Sequence, residues 1–327
     1  MACNHPMKAF WTGNYTENNK KEYIIIQDPD TDMLSFSYVR KRGFEINLKN
    51  NPPYISKFGE VFLTDPITIP CGHCIACRLA KAKEWTTRVC IEALDYENSY
   101  FITLTYDEAH MPYDGQLSKR DLSLFIKRLR HKISFKYFAC GEYGDEKIST
   151  IGIARPHYHL IILTNDELKL KSLAKPNSFI SQEIAETWKF GFHEVCYADE
   201  GCISYTAGYV YKKQIRNKND DQKVKPFVTC SDQPGFGFNY FLKHKQSILD
   251  TKKVYVHGKS NNVFKYIWRK LSEEIDIDPI KDELHILAGR STDKLKWYFN
   301  QKYYGEFSDK LDKIYQDYLE NKRKEKI

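Results

Sequence analysis

Residues 155–163 read Arg-Pro-His-Tyr-His-Leu-Ile-Ile-Leu, and this stretch is the strongest indication of the fold. Side chains two positions apart on a β-strand point to the same face, so His157 and His159 would share one face, about 7 Å apart along the strand. The opposite face is then apolar and available for core packing, with Tyr158, Leu160 and Ile162. The pattern predicts a strand whose two imidazoles are directed to one side of a sheet.

Two imidazoles on one face can bind one divalent cation when a neighbouring element supplies a third ligand. The best supplier is Glu142, because it lies at the end of the strand predicted just before the histidines. Two histidines and a carboxylate leave coordination positions open for a substrate oxygen, as Lewis-acid chemistry on a phosphate requires. A pair of hydrogen-bonded core histidines has the same spacing, so the motif alone leaves both interpretations open.

Tyr205 and Tyr209 are four residues apart in a helix predicted over residues 204–215, and therefore lie on one helix face. Lys212 and Lys213 continue that stripe. A phenol is a poor nucleophile at neutral pH unless a cation lowers its pKa or a metal ion polarises its target. The lysines could do the first, and an ion bound by the histidines could do the second. An amphipathic helix with tyrosines in the core is the alternative, but a tyrosine pair downstream of His-x-His is a rare conjunction.

These motifs resemble the HUH endonucleases, and in particular the rolling-circle replication initiators of gokushoviruses, which are single-stranded DNA phages of the microvirus family. The resemblance spans most of the chain and rests on residues 70–78, 101–106, 141–144, 155–159, 205–213 and 231–237. It implies a nick in one strand of single-stranded origin DNA, a 5′-phosphotyrosine intermediate and a free 3′-OH that primes synthesis. A second transfer would then recircularise the displaced genome, with the two tyrosines attacking alternately.

One departure from the family pattern is Gly208, where many relatives carry a basic residue. Transesterification retains the energy of the phosphodiester bond, so no nucleotide cofactor is expected, and the sequence lacks a GxxxxGK[ST] motif. Mg²⁺ or Mn²⁺ would polarise the scissile phosphate. A host helicase and polymerase are expected partners, because the chain has no motor motif.

Two other functions remain open from the sequence. One is a zinc-stabilised DNA-binding protein without catalysis, in which the histidine pair is structural. The other is a transposase or mobilisation relaxase with the same nuclease core. Such enzymes often use a single tyrosine, so the paired tyrosines and a cysteine cluster favour the phage initiator.

That cluster places three thiols within seven residues, at Cys71, Cys74 and Cys77. Zinc prefers four ligands, so the fourth must come from elsewhere. Cys3 is the first choice, with His5 and His73 as alternatives. An iron–sulfur cluster is less favoured, because the further cysteine and Cys-Pro of a ferredoxin run are missing. Three unligated thiols are also possible from spacing alone.

Positive charge is concentrated in residues 119–132 and 212–225, each with six Lys and Arg. The second window adjoins the tyrosines and is favoured for DNA. Its predicted contacts, with one residue beside the histidines, are Arg216, Lys218, Lys223, Lys225 and Arg155. Such contacts release counterions, so affinity would fall with salt. A solvated face is the ordinary interpretation of a charge run.

The 327 residues carry 50 Lys+Arg and 43 Asp+Glu, a formal net charge of +7 that suits a nucleic-acid partner. No apolar run approaches the ~20 residues of a membrane span, and the first residues lack the apolar region of a signal peptide. Nine cysteines are an odd number and are expected as thiols or ligands in a reducing compartment. The expected location is the host bacterial cytoplasm.

The predicted fold is α+β, with a largely antiparallel sheet flanked by helices; the family resemblance implies that this is an HUH-nuclease sheet. Three parts are expected: a strand-rich segment with the cysteine cluster and a connecting helix (1–98), the endonuclease core (99–215), and a linker with a helical C-terminal region (216–327). Predicted elements include a strand at 23–26, a hairpin of residues 34–39 and 44–48, and helices over 78–95, 119–133 and 180–189.

Overall fold

The structure is a computed structural model that describes residues 3, 5–28, 30–112, 115–144, 155–212, 224–281 and 283–284; of residues 210–212 it describes the backbone alone. These residues divide into two compact units. One contains the described residues up to Arg78 and from Glu274 onward, and the other contains residues Leu79–Glu273. The predicted three-part division stays a prediction, and the predicted linker 217–223 and residues 285–327 lie outside the described residues.

The first unit is rich in short strands. Its elements are β1 (Met7–Tyr15), β2 (Lys21–Ile26), β3 (Leu34–Ser35), α1 (Phe36–Lys41), β4 (Tyr54–Ile55), β5 (Val61–Leu63) and β6 (Ile67–Ile69). They form two three-stranded sheets, β2-β1-β6 and β3-β5-β4. Five buried apolar side chains make up its core: Phe10, Ile24, Leu34, Val39 and Leu63. The strand predicted at 23–26 is present within β2.

The hairpin predicted over residues 34–39 and 44–48 is wrong. Leu34 and Ser35 pair with β5, and the chain then turns at once into α1. The Ser35 side chain accepts a hydrogen bond from the Tyr38 amide, which satisfies a donor that the first helical turn would leave unpaired. The cap therefore outweighs the strand propensity of the aromatic and β-branched residues that follow it.

Helix α2 (Ile75–Ala93) precedes the main sheet, and begins three residues before the predicted helix. The strands that follow are β7 (Asn98–Tyr106), β8 (Phe135–Tyr143), β9 (Pro156–Thr164), β10 (Leu170–Ser172), β11 (Phe179–Ser181), β12 (Gly191–Tyr197), β13 (Phe227–Cys230), β14 (Lys253–Val256) and β15 (Lys259–Asn262). The helices are α3 (Lys119–Leu129), α4 (Gln182–Thr187), α5 (Glu200–Lys212), α6 (Phe238–Thr251) and α7 (Lys265–Leu271).

Seven strands form one sheet in the order β10-β11-β12-β7-β9-β8-β13, and every neighbouring pair is antiparallel. This confirms the predicted α+β class and the largely antiparallel sheet. Strand β9, which carries the two histidines, lies between β7 and β8. Because it is paired on both edges, its side chains are held in strict alternation between the two faces of the sheet.

One face of β9 packs in the core, as the alternation predicts. Tyr158 and the aliphatic side chains after it lie in one buried cluster with α3, which contributes Leu122, Phe125, Ile126 and Leu129. Helix α3 begins where predicted, because the Ser118 side chain accepts a hydrogen bond from the Asp121 amide at 3.2 Å. The opposite face of the sheet carries the histidines and is covered there by α5.

The region after residue 216 is less helical than predicted. Helices α6 and α7 are present, but β13 adds a strand to the main sheet, and β14 and β15 form a separate antiparallel pair. Phe227 of β13 lies opposite Gly141 of β8, where an added Cβ would come within 2.9 Å of the Phe227 ring. Glycine at 141 is therefore what lets β13 pair there. Among the described residues, no helix is both long and apolar enough to cross a membrane.

Candidate metal and tyrosine site

The register between β8 and β9 brings the predicted ligands together. Glu142 lies directly opposite His157 in the antiparallel pair. Its Oε1 atom is 2.9 Å from Nε2 of His157 and 3.1 Å from Nε2 of His159. One ligand atom from each of the three residues fits within a 4.8 Å span. Glu142 and His159 are buried and His157 is largely covered, so the three groups face one another away from bulk solvent.

The remaining ring nitrogens of the histidines are also engaged. Nδ1 of His157 is 3.1 Å from the Arg155 carbonyl oxygen, and Nδ1 of His159 is 3.1 Å from Thr103 Oγ1. A carbonyl oxygen can only accept, so the Nδ1 of His157 carries the proton. The Nε2 of a neutral His157 then presents a lone pair to a carboxylate oxygen, which also presents lone pairs. A cation between these atoms would satisfy both, and an outer hydrogen bond to a carbonyl is typical of metal-binding histidines.

The spacing of the ligand atoms suits a small hard cation. Mg²⁺ binds six ligands at about 2.1 Å in octahedral geometry, which places neighbouring ligand atoms about 3 Å apart. The separations of 2.9 and 3.1 Å between the carboxylate oxygen and the two Nε2 atoms match that value. Three protein ligands would leave coordination positions for oxygens of water or of a phosphate.

Helix α5 places both tyrosines against this group. The ring of Tyr209 stacks on His159 with centroids 5.8 Å apart, and the ring of Tyr205 meets His159 edge-on at 5.4 Å. The Tyr209 hydroxyl donates a hydrogen bond to the Tyr205 hydroxyl at 2.6 Å. Tyr205 is 40% exposed whereas Tyr209 is 3% exposed, so a phosphate arriving from solvent reaches Tyr205 more easily.

The surroundings of the two phenols affect their acidity differently. Burial raises the pKa of Tyr205 above its ordinary value of 10, while the hydrogen bond from Tyr209 opposes that increase. Burial also raises the pKa of Tyr209, and there the negative charge of Glu142 adds to the increase. Both phenols are therefore protonated at neutral pH in the absence of a cation. The Tyr205 hydroxyl is the easier of the two to deprotonate.

The predicted basic contacts are only partly described. Lys213, Arg216, Lys218 and Lys223 lie outside the described residues, and for Lys212 the structure gives only the backbone, in the last turn of α5. Lys225 is exposed just before β13. The Arg155 guanidinium forms an ion pair with Glu108, so this side chain is already engaged at the edge of the site.

Two residues of β7 belong to the site and were not predicted. Phe101 stacks on His159 with ring centroids 5.4 Å apart, and Thr103 makes the Nδ1 contact described above. Both lie on the same face of β7, since they are two positions apart. The sequence signal was the alternation Phe-x-Thr in residues 101–103, but its relevance depends on the pairing of β7 with β9.

The four predicted cysteine ligands lie together in the other unit. The sulfur atoms of Cys3, Cys71, Cys74 and Cys77 are all within 4.8 Å of one another. Cys3, rather than His5 or His73, is the residue that joins the three clustered cysteines. This group shares no residue with the histidine and tyrosine site.

Comparison with known proteins identifies the class to which this site belongs. Residues 99–214 match the model of a family of replication-associated proteins, the ORF2 family. The matched range contains Glu142, both histidines and both tyrosines, and it therefore contains every side chain of the metal and tyrosine site.

The similar proteins are phage replication-associated proteins. ORF2 of Spiroplasma virus 4 is 29% identical over 248 residues, which cover 68% of this chain and 75% of that protein. ORF4 of Chlamydia phage 1 is 29% identical over 64% of this chain and 56% of its own length. VP4 of Bdellovibrio phage phiMH2K is 29% identical over 60% of this chain and 65% of its own length. No solved structure matches the chain significantly. The resemblance to replication initiators of the microvirus type is confirmed.

Proposed function

We propose that this protein initiates rolling-circle replication of a phage genome by nicking single-stranded origin DNA. The replication role is supported by the family match and by the three phage relatives. The observation that carries the nicking step is the contact of two tyrosine rings with His159, beside the carboxylate that joins His159 to His157. An HUH-type strand-transfer site requires this combination of groups.

Glu142, His157 and His159 would hold Mg²⁺ or Mn²⁺, which would polarise a non-bridging oxygen of the scissile phosphate. The Tyr205 hydroxyl oxygen attacks the phosphorus and loses its proton. The bond from phosphorus to the 3′-oxygen breaks, and that oxygen takes up a proton to become a free 3′-OH. The 5′ phosphate stays on Tyr205, so the phosphodiester energy is retained and no nucleotide cofactor is needed.

The second tyrosine explains how the displaced strand is rejoined. After one round of synthesis, Tyr209 attacks the regenerated origin and releases a new 3′-OH. That hydroxyl attacks the phosphotyrosine on Tyr205, which closes the circle and restores the phenol. We assign the first attack to Tyr205 because it is the more exposed phenol and accepts the hydrogen bond from Tyr209. The proposed setting is the host bacterial cytoplasm, with a host helicase and polymerase as partners.

The test uses the full chain and single-stranded oligonucleotides that tile the genome encoding it, with Mg²⁺ or Mn²⁺. A 3′ label follows the fragment that becomes joined to protein, and a 5′ label follows the fragment with the free 3′-OH. We expect one origin segment to give a band of protein-linked DNA on a denaturing gel, and a released fragment that a polymerase extends. Chelation by EDTA should abolish both.

His157→Ala is the informative variant for the metal. It should remove nicking while leaving salt-sensitive binding of the same oligonucleotide intact. If the unmodified protein binds DNA but forms no adduct on any tile with either metal, the nicking proposal fails, and a DNA-binding protein without catalysis is favoured instead.

A further inference from the structure

We propose that Cys3, Cys71, Cys74 and Cys77 bind one structural zinc ion in the first unit. The antiparallel register of β1 and β6 explains how residues so distant in sequence meet. Met7 lies opposite Ile69, so the chain before β1 runs alongside the chain after β6. Cys3 therefore reaches the loop that begins at Cys71, 68 residues later.

The distances between the sulfur atoms match a single tetrahedral ion. Cys3 Sγ is 3.5 Å from Cys71 Sγ and 3.8 Å from Cys74 Sγ. A disulfide would need about 2.05 Å, so these pairs are not bonded. Four sulfurs at about 2.3 Å from a zinc ion lie about 3.8 Å from one another. All four sulfurs fall within 4.8 Å, which leaves room for one ion and not for several irons with bridging sulfides.

Backbone amides are directed at the same sulfurs. The amide of Cys71 donates to Cys3 Sγ at 3.2 Å, and the amide of Cys74 donates to Cys71 Sγ at 3.3 Å. Two longer contacts follow the same pattern, from the amide of His73 to Cys71 Sγ at 3.4 Å and from the amide of Cys77 to Cys74 Sγ at 3.5 Å. Hydrogen bonds of this kind stabilise a charged sulfur more than a neutral thiol. They are therefore expected where the sulfurs are thiolates bound to a cation.

Local backbone geometry adds to this arrangement. Gly72 has φ of +79°, a conformation in which glycine avoids strain, and it lets the chain turn back between Cys71 and Cys74. Helix α2 begins immediately after Cys74 and contains Cys77 in its first turn. The positive end of the helix dipole thus lies near the proposed thiolates.

The ion would supply stability that the first unit cannot obtain from its core alone. Small cores commonly need a metal or a disulfide, and zinc binding contributes directly to folding. A zinc ion at these cysteines would fix the segment before β1 to the start of α2. Loss of the ion should therefore loosen the β1/β6 pair and leave the histidine and tyrosine site chemically unchanged.

The test measures the metal content of the full chain purified without added metal. We expect about one zinc per chain and no acid-labile sulfide. Cys3→Ala and Cys71→Ala should lose the zinc, whereas Cys3→His should retain it, because three cysteines and a histidine also form structural zinc sites. Cys196→Ala, which changes a partly buried cysteine outside the cluster, is the matched control and should retain it.

Replacement of the ion by Co²⁺ in the unsubstituted protein provides a readout that needs no variant. The expected result is the visible absorption of tetrahedral Co²⁺ with thiolate ligands. A protein that contains no metal and has nine freely reactive thiols would overturn the proposal, as would iron with inorganic sulfide. Zinc that is retained in Cys3→Ala but lost in His157→Ala would assign the ion to the other site and would also overturn it.

Discussion

The hydroxyl of Tyr209 donates a hydrogen bond to the hydroxyl of Tyr205 at 2.6 Å, so the two phenols of α5 are chemically different. A phenol that accepts a hydrogen bond is better able to carry negative charge on its oxygen than one that donates. The donor, Tyr209, is also the more buried ring and lies under the influence of the Glu142 charge. The order of attack in the proposed reaction follows from this asymmetry.

Tyr205→Phe should slow the first cleavage on the order of 100-fold or more, since it removes the nucleophile. Tyr209→Phe removes one neutral hydrogen bond worth about 1 kcal/mol and should slow the same step about fivefold. The rates are measured from adduct formation in single-turnover experiments on a denaturing gel. The double variant should form no adduct. Equal losses in the two single variants would contradict the assigned order.

Thr103 is expected to act as a positioning residue through its contact with Nδ1 of His159. Thr103→Val keeps the shape of the side chain but removes the hydroxyl, and should weaken Mn²⁺ binding by about 10- to 100-fold. Thr103→Ser should restore most of the affinity. Direct titration of Mn²⁺ into each variant measures this, and the urea midpoint serves as the control for folding. A loss of stability without a loss of affinity would show that the hydroxyl is only structural.

Features that depend on neighbouring residues could be predicted from the sequence. The alternation along β9 separates the histidines from the core residues, and the Ser118 cap with the apolar stripe marks the start of α3. The i,i+4 spacing puts Tyr205 and Tyr209 in ring contact, with centroids 5.2 Å apart. Each of these follows from the period of a helix or a strand.

Features that depend on pairing between distant segments could not be predicted. Thr103 becomes part of the site only because β7 lies beside β9 in a particular register. The strand β13 joins β8 because Gly141 leaves space for Phe227, and nothing in residues 227–230 alone specifies that partner. Cys3 could be suggested from the number of ligands that zinc needs, but its meeting with Cys71 depends on the β1/β6 register.

Gly208 offers a test of local helix stability in α5. A Cβ added there would meet no atom within 4 Å outside the local helix backbone, so Gly208→Ala should stabilise the protein by about 0.5–1 kcal/mol. Gly191→Ala is the contrasting variant. Its φ is +148° and an added Cβ would lie 2.3 Å from the Asp107 amide nitrogen, so a loss of about 2 kcal/mol or more is expected. Urea unfolding measures both, and a stabilising Gly191→Ala would contradict the packing described.

The ion pair between Glu92 and Lys136 should be important for stability because it is buried. Lys136 Nζ is 2.5 Å from Glu92 Oε1, and the other carboxylate oxygen accepts the Gly237 amide at 2.7 Å. Glu92→Ala leaves a buried ammonium without this partner and should cost about 3–5 kcal/mol in urea unfolding. The exposed pair of Lys132 and Glu186 is the control, and Lys132→Ala should change the midpoint far less. Similar effects in the two variants would contradict this explanation.

His193 predicts a dependence of stability on pH below neutrality. Its Nε2 accepts a hydrogen bond from the Ser181 amide at 3.0 Å, and burial lowers the pKa of the imidazole below its ordinary value of 6.5. As the pH falls below 6.5, the unfolded chain takes up a proton that the folded chain does not, so the free energy of unfolding decreases. The full contribution is present above pH 6.5 and is lost as the pH falls through the lowered pKa of the folded state.

His193→Gln keeps a side chain that can accept the Ser181 hydrogen bond and removes the titration. Urea midpoints measured from pH 7.5 down to about pH 5 should therefore fall less steeply in this variant than in the unsubstituted protein. His131→Gln, at an exposed position, is the control and should leave the slope unchanged. If His193→Gln and the unsubstituted protein lose stability in parallel, the imidazole is protonated in the folded state and its contact with the Ser181 amide does not persist in solution, because a protonated nitrogen cannot accept.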